Sequence, residues 1–191
     1  MRRKSRHCCR CCRWYFDVQN RTRRVHDVDQ FVVRPGVGRS LGERSSLWIG
    51  YAYTANLPDI GEKFIEHRIW EQYLWSGPAG PGTLSLRSRV EQRFFPGSRN
   101  TAWRVRQQAR LARPPAAHPS LSLILWDEVL AHLNSTSHSR QGLDQNRFFG
   151  GLARSVNPHV RVEAGYMNQF VRSTGANKMH HVFSGVISLG F

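Results

Sequence analysis

Apolar and polar residues alternate with a period of two along the chain from Trp14 onward. Gly, Pro, Asn and Ser interrupt this alternation at short intervals, which is typical of half-buried antiparallel strands joined by turns. No long segment shows a helical period. The pattern predicts an all-β chain of about ten strands, at residues 14–22, 30–39, 46–55, 64–75, 83–95, 102–113, 121–133, 145–156, 160–172 and 178–191.

The residues that alternate indicate the environment of the strands. The strand predicted at 83–95 places an apolar row opposite a charged row of Arg87, Arg89, Glu91 and Arg93. In a soluble sandwich the apolar rows fill a core, whereas in a membrane barrel they face lipid and the polar rows line the interior. Charge pairs of this kind favour a closed, antiparallel, up-and-down transmembrane β-barrel.

Inward-facing charged residues are expected to interlock across strands, filling a narrow lumen and fixing the strand register. The role predicted is therefore structural, or the passage of a small solute. An anion or acidic sugar is the permeant that the basic excess would favour. The candidate lumen network consists of Arg87, Arg89, Glu91, Arg93, Arg106, Arg110, Glu128, Arg147, Arg161 and Glu163.

Helical membrane spans are excluded, because no segment approaches the roughly 18 consecutive apolar residues that a spanning helix needs. A closed barrel requires the first strand, 14–22, to pair with the last, 178–191, since lipid tolerates no unpaired strand edge. An even strand number places both termini on the periplasmic side. The turn at 157–159 is then periplasmic, and the polar segment 134–142 is an external loop.

The first 13 residues differ from the rest of the chain. They hold six of the 28 basic residues and all four cysteines, Cys8, Cys9, Cys11 and Cys12. A zinc site would need a second, separated ligand pair, so we predict no metal and no cofactor. We expect a disordered, non-native-looking extension at 1–13, a barrel domain at 14–191, and a signal peptide that is missing from this chain.

Six segments and the last residue carry a resemblance to a known family: 68–72, 87–94, 126–130, 144–152, 163–169, 177–182 and Phe191. Read together, they resemble a bacterial outer-membrane-barrel-like family of unknown function, a short barrel rich in Arg and Glu. The resemblance covers residues 14–191 and implies an outer-membrane location, with outer-membrane lipids and the barrel-assembly machinery as partners. It implies that Phe191, at the end of an amphipathic strand, is the assembly signal. It transfers no catalytic residue or ligand.

Two alternatives from other classes remain open. A net charge of +15 fits a basic β-barrel that binds nucleic acid, but such a protein would place its stacking aromatics on the basic face. An outer-membrane lipid hydrolase would need a Ser-His-acid site, yet no G-x-S-x-G motif occurs. We predict a protein that is not an enzyme and does not bind nucleic acid. The residues of the types a hydrolase needs are Ser122, Ser184, His132, His180, Glu128 and Glu163.

Glycines and aromatics have structural interpretations. Gly36 and Gly38 lack the spacing of a phosphate-binding loop and are expected to relieve crowding within a strand. Large aromatics near strand ends or on apolar faces suggest an interfacial girdle. This girdle is predicted from Trp48, Trp70, Trp75, Trp103, Tyr51, Tyr53 and Tyr166.

Overall fold

A computed structural model describes residues 12–21, 28–58, 62–115, 120–173 and 175–189. The described chain forms ten strands and no helix capable of spanning a membrane. The strands are β1 (Cys12–Arg21), β2 (Val28–Ser40), β3 (Ser45–Pro58), β4 (Phe64–Ala79), β5 (Gly82–Phe94), β6 (Ala102–Arg113), β7 (Leu121–His132), β8 (Gly142–Asn157), β9 (Val160–Val171) and β10 (Lys178–Leu189).

Each strand pairs antiparallel with its neighbour in sequence, in the order β1 to β10, as an up-and-down sheet curled into a half-barrel. This confirms the prediction of about ten antiparallel strands. Among the described residues β1 pairs only with β2, and β10 only with β9. The predicted pairing of the first and last strands is therefore not observed in this part of the chain.

The two faces of the sheet differ in polarity. The concave face holds buried charged residues, of which Glu91 and Glu128 are each 2% exposed. The convex face holds apolar side chains that are open to the surroundings, such as Ile49 at 51% and Leu123 at 44%. The period of two produces this separation, because successive side chains of a strand point to opposite faces. Polar residues that interrupt the convex apolar face include Glu71, Gln92, Gln107, Asp127, Asn146 and Asn168, together with His67, Ser88 and His181.

Most connections at one end of the strands are shorter than those at the other end. Short turns at 41–44, 80–81 and 158–159 lie at the end where β1 begins and β10 ends, here called the turn edge, together with the longer connection 114–120. Longer connections, including 95–101 and 133–141, lie at the opposite edge, here called the loop edge. The predicted turn at 157–159 is observed, with the His159 amide donating to Asn157 Oδ1 at 2.8 Å.

Several strands extend beyond their predicted bounds. β4 continues through Pro78 to Ala79, and Gly80 then adopts a positive φ of 56° in the turn to β5. The predicted strand ended at residue 75, but Pro78 has no N–H group to leave unpaired, and the last residues of β4 still pair with β5 up to the turn. β1 begins at Cys12, so two residues assigned to the extension lie in a strand. Residues 1–11 and Phe191 lie outside the described residues.

Candidate ion-pair network on the concave face

Glu91 of β5 is one centre of the buried charge network. Arg104 donates to its Oε2 from Nε at 2.9 Å and from Nη2 at 2.6 Å. Arg106 donates to Oε1 from Nη1 at 3.0 Å. Both arginines lie on β6, beside β5 in the sheet, so their alternate positions face Glu91 together. A buried carboxylate with three charge-assisted hydrogen bonds is well compensated.

Glu128 of β7 is the second centre. Arg106 donates to it from Nε and Nη2, both at 2.9 Å, and therefore bridges the two carboxylates. Arg87 donates from Nη2 at 2.8 Å, and Arg147 Nη1 lies 3.6 Å away. Arg87 lies on β5 and Glu128 on β7, so this pair spans the intervening strand. The concave curvature brings such side chains together.

A third centre, Glu66 of β4, was not among the predicted network residues. Arg68 donates to it from Nε at 2.6 Å and Nη2 at 2.8 Å, and Arg93 donates through the same two groups. Glu66 is 1% exposed. Its position in the alternation of the predicted strand 64–75, in step with Arg68, was the signal that could have identified it.

Further pairs extend the network toward both edges. Asp144 lies 3.4 Å from Arg104 and 3.3 Å from His132 Nε2, near the loop edge. Arg110 of β6 forms a two-pronged pair with Glu163 of β9, across the two intervening strands β7 and β8. Ladders between neighbouring strands were expected, but several pairs join strands that are not adjacent. The pairs between non-adjacent strands depend on the curvature of the sheet as well as on its register.

Arg89 is the exception within this network. Its Nε and Nη2 both donate to Gln72 Oε1, at 2.9 and 2.6 Å. Its nearest carboxylate, Glu91, is 3.7 Å away and already accepts from Arg104 and Arg106. The guanidinium is 4.5 Å from the Trp70 ring centroid, a cation–π distance. Its buried Nη1 has no hydrogen-bond partner among the described residues.

Comparison with known proteins places the chain in a family. The model of a family described as "Protein of unknown function (DUF2490)" matches residues 10–180. The chain belongs to the DUF2490 family. An uncharacterized protein of Methylorubrum extorquens is 31% identical over 164 residues, covering 84% of this chain and 72% of the relative. The expected family of unknown function is thereby confirmed at that level.

In this DUF2490 member, nine of the ten candidate network residues take part in the ion pairs above. The tenth, Arg161, is half-buried, and no ion pair of its side chain is found within the described part of the chain. Arg68, Arg104 and Asp144 join the network although they were not in the predicted set.

Several of the hydrolase candidates make contacts other than those of a Ser-His-acid triad. His132 is bound to Asp144, and neither Ser122 nor Ser184 hydrogen-bonds to it in the described residues. Glu128 and Glu163 are engaged by arginines. The described residues also contain no cluster of three or more His, Cys, Asp or Glu suited to a metal ion.

Two aromatics assigned to the girdle lie instead on the concave face. Trp70 is 1% exposed and donates from Nε1 to the Tyr51 carbonyl at 3.2 Å. The Trp70 ring lies close to Gly36, where an added Cβ atom would be 2.6 Å from the Trp70 Cη2 atom. A Cβ on Gly38 would overlap the ring of Trp48. The girdle assignment of Trp48 and Trp70 is therefore wrong, and the interpretation of the glycines as relieving crowding is confirmed.

The concave face is not charged throughout. Ile124, Phe149 and Ala153 form a buried apolar cluster in the turn-edge half of β7 and β8. Trp126 stacks on Phe149 with ring centroids 5.2 Å apart. Apolar packing therefore fills this part of the concave face.

Proposed function

We propose that this protein is an outer-membrane β-barrel, closed by pairing of β1 with β10, whose interior is filled by arginine–carboxylate pairs. The observation that carries the proposal is the inverted polarity of the sheet. Glu91, Arg89 and Glu128 are at most 3% exposed, while large apolar side chains cover the convex face. This is the distribution that lipid outside and a polar interior require.

Water would be a poor environment for the convex face. β3 alone presents Leu47, Ile49, Tyr51 and Leu57 on that side, each between 39% and 51% exposed. Soluble monomers rarely expose contiguous apolar patches beyond roughly 300–600 Å². The Asp127 carboxylate, a charged interruption of this face, accepts from Asn146 Nδ2 at 3.1 Å on both oxygens. Lipid contact accounts for the apolar side chains of this face. The hydrogen bonds from Asn146 reduce the cost of placing the Asp127 carboxylate there.

The filled interior favours a structural role over an open channel. Glu91, Glu128 and Arg106 occupy the middle of the concave face and are bound to one another through shared hydrogen bonds. A water-filled pore would leave such groups hydrated instead of buried. We propose accordingly that the protein is not an enzyme. The burial of Arg89 and Arg106 gives no support to nucleic-acid binding, which requires arginines accessible to phosphates.

Membrane fractionation tests the proposal. The gene is expressed with its upstream region restored, the membranes are separated, and the extracted protein is run on a gel with and without boiling. We expect recovery in the outer membrane and a band that shifts on boiling, because a folded barrel resists detergent until heated. A soluble protein without a shift would overturn the proposal.

Closure is tested separately by cross-linking the outer strands. In a background with the four cysteines replaced by serine, Val18→Cys on the convex face of β1 is combined in turn with Phe183→Cys, Gly185→Cys and Ile187→Cys on β10. A disulfide needs Cα atoms about 4.4–6.8 Å apart. We expect at least one pair to form an intramolecular disulfide in heat-shifting protein, and Val18→Cys with Val129→Cys to form none. Heat-shifting protein in which all three pairs stay reduced would contradict closure.

A further inference from the structure

A cavity of about 230 Å³ lies in the turn-edge half of the concave face. Arginines line one side of it, and aromatic rings of β1, β3 and β4 line the other. It differs from the middle of the network because its charged groups are only partly hidden: the Arg87 and Arg110 side chains are 24% and 26% exposed. The residues on which the argument depends are Arg87, Arg89, Arg110, Tyr15, Trp48 and Trp70.

Of the three arginines that line this cavity, Arg110 has a carboxylate of its own in Glu163, whereas Arg87 and Arg89 do not. Glu128 is shared by Arg87, Arg106 and Arg147, and Arg89 reaches Glu91 only at 3.7 Å. Buried Arg87 Nε and Arg89 Nη1 have no hydrogen-bond partner among the described residues. A buried guanidinium is costly unless its charge and its N–H groups are satisfied. An anion in the cavity would compensate both arginines.

The opposite wall selects for a particular kind of anion. Tyr15 meets Trp48 and Trp70 edge to face, with ring centroids 6.3 and 6.1 Å apart. The Tyr15 and Trp48 rings, which are not fully buried, offer flat apolar surface close to the Arg89 guanidinium, which lies over the buried Trp70 ring. A bare inorganic anion would leave this surface without a contact. Pockets for drug-sized ligands measure roughly 300–1,000 Å³, so this cavity suits a smaller molecule.

We propose that the cavity binds a small organic anion that carries a carboxylate on a flat apolar body. The carboxylate accepts from the partly exposed Arg87 guanidinium and offsets the charge of the buried Arg89 guanidinium beside it. The apolar body packs against Tyr15 and Trp48. Arg110 lines the more exposed side of the cavity, where it is already paired with Glu163. This inference rests on the proposed function, because it requires that the concave face be the interior of a closed barrel open to solvent at the turn edge.

Calorimetric titration of the full chain, extracted in non-ionic detergent and confirmed by its heat shift, tests the inference with benzoate as the probe. Its neutral isostere benzamide and inorganic sulfate are titrated in parallel. We expect saturable binding of benzoate at least about tenfold tighter than of benzamide, because a hydrogen bond to a charged group is worth about that factor or more. Sulfate is expected to bind more weakly than benzoate, since it makes no contact with the aromatic wall.

Arg89→Gln is expected to weaken benzoate binding at least about tenfold, whereas Arg154→Gln, at an exposed position near the same edge, leaves it unchanged. Absence of benzoate binding, equal binding of benzamide, or sulfate binding as tightly as benzoate would overturn the proposal. If Arg89→Gln does not fold, the comparison of benzoate, benzamide and sulfate on the unmodified chain still tests the proposal. Because every measurement uses heat-shifting protein, failure to bind leaves the barrel proposal standing, and absence of a heat shift refutes the barrel itself.

Discussion

Replacing Glu91 by glutamine isolates the contribution of the buried charge network. The two side chains have nearly the same shape, so the change removes charge without opening a cavity. In the folded protein Glu91 accepts three hydrogen bonds, at 2.6, 2.9 and 3.0 Å, and is 2% exposed. The substitution leaves Arg104 with only the more distant Asp144, at 3.4 Å, and Arg106 with only Glu128.

The expected magnitude follows from these contacts. Hydrogen bonds to charged groups contribute about 1.5–3 kcal/mol each, against about 0.5–1.5 kcal/mol for neutral ones. Glutamine keeps only one acceptor oxygen, so at most two of the three hydrogen bonds become neutral ones, and the amide NH2 group faces the remaining arginine N–H. Removing one partner of a buried ion pair typically costs about 3–5 kcal/mol. We expect Glu91→Gln to lower the free energy of unfolding by about 3–5 kcal/mol.

The assay is urea unfolding of detergent-folded protein, with the fraction of the heat-shifting form measured across the gradient. Glu43→Gln, in the exposed turn at 41–44, makes the same chemical change without burial and should stay within about 0.5 kcal/mol of the parent. If uncompensated positive charge is the cause, Arg104→Gln should offset part of the loss. The double variant should then lose less than the sum of the two single variants.

Two results would refute this reasoning. One is a Glu91→Gln variant that unfolds within about 0.5 kcal/mol of the parent, like the Glu43→Gln control. The other is strict additivity with Arg104→Gln, which would mean that the two side chains do not interact in the folded protein.

Two other predictions concern the convex face and the close approach of strands. Ile49→Arg, central on the convex face of β3, should lower the free energy of unfolding in lipid vesicles by about 2–4 kcal/mol. Leu57→Arg, near the end of the same strand, should lower it by about 0–1 kcal/mol. Equal losses for the two variants in urea titrations would argue against a lipid-facing belt. Gly151→Ala should destabilise by about 1–3 kcal/mol, because its Cβ would lie 2.5 Å from the Ala164 carbonyl oxygen. Gly185→Ala, whose Cβ would meet nothing within 4 Å, should unfold at the same urea concentration as the parent, and a Gly151→Ala variant that matches it would contradict the close packing.

The number of strands and the polarity of their faces could be predicted from sequence, since both follow from the period of two. Strand β5, predicted at 83–95, is observed at Gly82–Phe94, with Arg89 and Glu91 on the buried face. The ends of strands were less accurate. Signals for turns, such as the Gly-Pro of residues 77 and 78, describe local preference, whereas pairing with β5 keeps Pro78 in the sheet opposite Thr83.

The partners of each charged residue were decided only by the tertiary structure. Alternation places Arg87 and Glu128 on the same face, but their contact spans β6 and depends on how strongly the sheet curves. The same holds for Arg110 with Glu163, and for the isolation of Arg89 from a carboxylate of its own. The alternation along one strand predicts which face of the sheet a side chain lies on. The distances between side chains of different strands depend on register and curvature, which are properties of the whole sheet.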